Sequence, residues 1–95
     1  MRTLFVHQQF TGQYREILRW LALKGEHEIV FLTQRTDVPE VRGVRIATYV
    51  PHHKAAEGAY ALTAYWEDCV GAGYGAALAC EAMKRDGFRP DIILG

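Results

Sequence analysis

The chain has 95 residues, with 11 Lys plus Arg against 11 Asp plus Glu, so its net charge is close to zero. That balance excludes bulk electrostatic attraction to nucleic acid or to an anionic membrane, and a hydrophobic content of 49% excludes a disordered chain. No apolar run approaches the roughly 20 residues needed to span a bilayer, so no integral membrane segment is expected. The opening MRTLFVHQ has too short an apolar core for a signal peptide, which makes the cytoplasm the expected location.

Residues 2–7 read as a first strand, uninterrupted in its apolar run Leu4, Phe5 and Val6, as for a strand buried on both faces. A loop over residues 8–11 leads into a helix over 12–24, with Thr11 as its N-cap. Tyr14, Ile17, Leu18, Leu21 and Ala22 form one apolar stripe on that helix. Lys24 followed by Gly25 predicts a cation in the last turn and a left-handed stop. Residues 28–33 form a second buried strand, completing a βαβ unit. Pro39 and Gly43 break the polar segment that follows.

A third strand over 44–50 alternates in polarity, which suits an edge strand with one wet face. The link before it is just short for a parallel crossover, yet parallel pairing is the favoured reading. Residues 51–58, with His52, His53 and Lys54, read as a solvated loop. A helical pattern runs from about 60 to 85, with Leu62, Trp66, Cys69, Val70, Gly73, Ala77, Cys80 and Met83 on one face. Gly71, Gly73 and Gly75 lie inside it, so either the helix bends there or something packs very close. Gly87 stops this helix, Pro90 keeps Arg89 extended, and residues 91–94 start a fourth strand. Cys69 and Cys80 are separated by about 16 Å along this helix, too far for a disulfide, and read as reduced, half-buried thiols.

The order β-α-β-β-α-β predicts an α/β, Rossmann-like, three-layer fold with a mostly parallel sheet of order 3-2-1-4. Its switch point lies between strands 1 and 4, where ligands of open α/β sheets sit, next to a helix N-terminus. Residues 7–13 line one side of that crevice, and the chain stops where the other wall begins, so it reads as a truncated fold. Gly12 either lets a helix N-terminus approach a phosphate or simply permits the turn, and spacing alone does not choose. His7 either hydrogen-bonds a ligand or is a satisfied structural histidine.

Other chemistry finds little support. One glycine and no Lys-Ser/Thr pair exclude a dinucleotide fingerprint and a P-loop. Gly71–Gly75 lies in a helical pattern rather than after a strand, so it is no phosphate loop. His52 and His53 lack a third ligand with suitable geometry, so no metal site and no cofactor are expected. Tyr60, Tyr65 and Trp66 read as helix-packing residues, and the basic residues look scattered.

Four stretches carry a resemblance. Residues 1–14, MRTLFVHQQFTGQY, followed by GEHEIVFLTQR at 25–35, resemble the start of bacterial family 4 glycosyltransferases, as do GVRI at 43–46 and GFRPDII at 87–93. The resemblance implies a GT-B enzyme of two Rossmann-like domains, with residues 1–95 as part of the N-terminal, acceptor-side domain and the nucleotide-sugar-binding domain absent. It implies Gln9, Phe10, Thr11, Gly12 and Gln13 as substrate-binding residues, with Gly12 the point of close approach to a donor diphosphate, and His7 joins them as a candidate from its place at the end of the first strand. Thr11 stands where many relatives carry proline. The partners implied are a nucleotide-sugar donor and an acceptor. Transfer would be retaining and independent of a bound metal, and this chain alone inactive. A competing reading is a free-standing flavodoxin-like binding module that forms a homodimer through the exposed edge at Ile92, Ile93 and Leu94.

Overall fold

The computed structural model describes residues 1–10 and 12–95, with Gly12 described by its backbone alone. The chain divides into two compact units, Met1–Thr48 with Phe88–Gly95, and Tyr49–Gly87.

The first unit holds a four-stranded sheet of β1 (Arg2–Val6), β2 (Glu28–Thr33), β3 (Val44–Thr48) and β4 (Ile92–Leu94), in the order β3-β2-β1-β4. Every pairing is parallel. The expected α/β, Rossmann-like sheet and its order are therefore present. A 3₁₀ turn, Gly12–Tyr14, precedes α1 (Arg15–Lys24), so the α-helix begins later than the expected residue 12. Tyr14 occupies the N-cap position without a side-chain capping bond, and the proposed cap Thr11 lies outside the described residues. The expected stop holds: Gly25 closes α1 in the left-handed region at φ 70°.

Register explains the core. Phe5 pairs with Phe31 and Leu94, and Phe31 with Ile46, so these side chains share one face of the pleat. Ile29 and Val44 pair on the same face. Leu18 and Leu21 of α1 close this layer, with Tyr14 and Ala22 packed at its margin. Ile17, expected in the stripe, is exposed. Phe5 and Phe31 stack at 5.8 Å with nearly parallel rings. Leu4, Val30 and Leu32 point to the opposite face and are equally buried, as their uninterrupted apolar runs require.

The link over residues 34–43 contains no helix, yet it joins parallel strands. An extended residue advances about 3.3 Å against 1.5 Å in a helix, so an extended link covers the crossover with fewer residues. It runs beside α1, where Gly43 lies against Ala22.

In the second unit, residues 49–60 lead into α2 (Ala61–Arg85), which is continuous through its glycines. Close packing, not a bend, accounts for two of them. A Cβ on Gly71 would collide with the His53 carbonyl, and one on Gly75 with the Val50 carbonyl. The His52 N–H donates to the Gly71 carbonyl at 2.9 Å, so the segment is bonded directly to the helix backbone. The buried face of α2 is correspondingly one of small residues, with Gly71 and Gly75 buried and Ala72, Ala76 and Ala79 partly so. This corrects the expected face: Leu62, Trp66, Cys69, Val70, Gly73 and Ala77 are exposed, and Cys80 and Met83 are only half-buried. Tyr60 and Tyr65 are exposed too, contrary to a helix-packing role. Hydropathy favours burying the largest apolar face, but a backbone can approach a helix this closely only over glycine and alanine.

Candidate functional site

The sheet's switch point lies between β1 and β4. His7 continues the ladder one residue past β1, its N–H donating to the Leu32 carbonyl at 3.0 Å. Its ring is tied to the loop. The Gln9 N–H donates to His7 Nδ1 at 3.0 Å, and the Gln9 carbonyl lies 2.9 Å from the same nitrogen. The Nε2–H tautomer accepts the Gln9 N–H at Nδ1, whereas a ring with its proton on Nδ1 donates to the Gln9 carbonyl.

Tyr14 links the two strand ends. Its hydroxyl donates to the Gly95 carbonyl at 2.7 Å, its ring lies 5.3 Å from Phe5, and the His7 ring meets it edge-on at 6.1 Å. The loop after β2 supports the loop after β1. The buried Thr33 hydroxyl donates to the Gln8 carbonyl at 3.1 Å and accepts the Arg35 N–H at 3.2 Å. The Arg35 guanidinium donates to Gln9 Oε1 at 3.4 Å and forms a bidentate pair with Asp37 at 3.0 and 2.7 Å. Hydrogen bonding to Arg35 lowers the Asp37 carboxyl, and the same bond raises the Arg35 guanidinium.

Of the expected site residues, the structure joins His7 to Gln9. Phe10 turns its ring edge onto Phe31 at 4.8 Å and packs against the core. Gly12 opens the 3₁₀ turn, Gln13 is exposed, and Thr11 lies outside the described residues. Tyr14, Thr33, Arg35 and Asp37 escaped the sequence reading as site residues. The available signal was position: Thr33 ends β2 and Arg35 follows two residues later, at the carboxyl edge where ligands collect.

Elsewhere the 52–54 segment is less free than expected. His53 Nε2 lies 2.5 Å from Glu67 Oε1, the Ala55 N–H donates to Asp68 Oδ1 at 2.7 Å, and the His52 ring packs edge-on to Tyr74 at 4.4 Å. Nor are the basic residues all scattered, since Arg15 and Arg19 of α1 and Arg42 of the 34–43 link line one cavity. Among the described residues no group of three or more His, Cys, Asp or Glu is placed to hold a metal, and no helix is long and apolar enough to cross a membrane.

A four-stranded parallel sheet of order 3-2-1-4 places the chain in the Rossmann-like α/β class. The sequence profile of the glycosyl transferase family 4 group matches residues 25–95, and the chain belongs to that family. The matched stretch begins at Gly25, so it includes β2, β3, α2 and β4 but not the 7–13 loop. Comparison with curated proteins returns no match, and comparison with solved structures returns none.

Proposed function

We propose that this chain is the acceptor-side, N-terminal half of a GT-B glycosyltransferase that moves a sugar from a nucleotide-sugar donor to an acceptor. Family membership supports glycosyl transfer. The observation that carries the assignment of a site is the gathering of His7, Gln9 and Arg35, linked by hydrogen bonds through Gln9, with the Tyr14 ring against His7, at the carboxyl ends of β1 and β2. In this reading residues 9–13 approach the donor diphosphate, with Gly12 at the point of contact. The nucleotide-sugar-binding domain completes the cleft, transfer is retaining and metal-independent, and the enzyme is cytoplasmic. The 95-residue chain alone is inactive, because half of the cleft lies in the other domain.

The test is a titration of the isotopically labelled chain with UDP and with GDP, followed by backbone amide shifts. Shifts concentrated at residues 8–14 and 35 are expected at millimolar ligand. No shift there, or shifts spread evenly over the surface, counts against a donor role for this loop.

A second reading is favoured by one observation. Ile92 and Ile93 are exposed on the edge strand β4, which suits a binding module that pairs with another copy.

A further inference from the structure

A concavity of the first unit lies between α1 and the 34–43 link, and among the described residues it shares Phe10 with the loop discussed above. Its volume is about 760 Å³, within the usual range of small-molecule sites. Its walls are mostly apolar: Phe10, Leu18, Ala22, Leu23 and Val41. Leu23 is 81% exposed, an unusual state for a leucine on a helix whose neighbours Leu18 and Leu21 are in the core.

Three arginines stand around this apolar surface. Arg15 and Arg19 are one turn apart on α1, and Arg42 reaches the cavity from the link. None of the three has an ion pair or side-chain hydrogen bond among the described residues, and no carboxylate lines the cavity. Glu16, Glu26 and Glu40 are close in sequence but do not line it. The contrast with Arg35, fully engaged by Asp37, is direct. Uncompensated guanidinium groups beside an apolar floor complement a ligand with one anionic head and an apolar body. Guanidinium suits a phosphate or carboxylate because its planar donors pair with two oxygens at once.

We infer that this cavity binds a small anionic amphiphile, a phosphate monoester or a carboxylic acid with an apolar body. The arginines take the head, and Leu18, Leu23 and Val41 take the body. The proposal does not depend on the glycosyl-transfer reading, and its site is read from different amides.

The test uses hexyl phosphate as the probe on the full chain, with 1-hexanol and inorganic phosphate as single-feature controls. Hexyl phosphate is expected to give saturable shifts at residues 15–25 and 41–43, with a Kd below about 10 mM that weakens with added salt. Each control alone should bind at least about tenfold more weakly. Arg19→Gln and Arg42→Gln, both exposed positions, should each weaken hexyl phosphate about threefold to tenfold, and the double variant further. Equal binding of 1-hexanol would reduce the site to an apolar groove, and equal binding of phosphate to a basic patch; either overturns the proposal. Undiminished binding by both variants, or co-sedimentation with phosphatidylglycerol vesicles without any response to hexyl phosphate, overturns it as well. A UDP response at residues 8–14 without a hexyl phosphate response would sink this site and leave the glycosyl-transfer reading standing; the reverse pattern would do the opposite.

Discussion

The glycines of α2 separate two roles that look alike in sequence. Gly71 and Gly75 lie against the backbone of residues 50–53, whereas a Cβ on Gly73 meets nothing within 4 Å. Gly71→Ala and Gly75→Ala should each destabilise the chain by about 1–3 kcal/mol or more, because the obstacle is backbone and cannot rotate away. Gly73→Ala should stabilise by about 0.5–1 kcal/mol through helix propensity alone. Urea midpoints at equal m-value measure both, and equal losses at all three positions would refute the distinction. The two cysteines differ in the same positional way. Cys69 is exposed, while burial, with a smaller contribution from Glu81, pushes the half-buried Cys80 thiol up. A raised thiol pKa means the folded chain holds the proton more tightly. The associated stability is present below the ordinary thiol value and is lost as pH rises through the raised one. Iodoacetamide near pH 8 should therefore alkylate Cys69 first, and the difference should vanish in denaturant.

Among the elements, strands were more legible than helix faces. The uninterrupted apolar runs are buried on both faces of the sheet at residues 4–5 and 29–32, and the alternating third strand is an edge. The α1 stop at Gly25 was readable because a left-handed residue after a terminal lysine has few other meanings. The face of α2 was not readable. Periodicity reports which residues share a face, but not which face another segment will cover. Here the covering segment is backbone, and it selects small residues over Leu62, Trp66 and Val70. The start of α1 was misplaced for a related reason: a 3₁₀ turn carries no periodic signature in three residues.

For the molecule as a whole, the exposed β4 edge sets an association behaviour that can be measured. Pairing through Ile92 and Ile93 predicts sedimentation that shifts with concentration, and Ile93→Lys should remove the shift, since an edge lysine opposes strand addition. A monomer at every concentration would count against the module reading and leave the transferase reading untouched. Family membership across residues 25–95 agrees with the resemblance seen in the sequence, although the match omits the opening stretch on which the resemblance leaned most. The amino-acid sequence by itself determined the order of elements, the parallel sheet and its 3-2-1-4 arrangement. Those follow from local runs of apolar residues, turn glycines and the restricted ways in which parallel strands connect. Only the tertiary structure decided which side chains meet. Tyr14 reaches the Gly95 carbonyl, Arg35 reaches Gln9, and Arg42 joins Arg15 and Arg19 around one cavity. Each of these groupings spans residues distant along the chain, and sequence patterns carry no record of distances that folding alone creates.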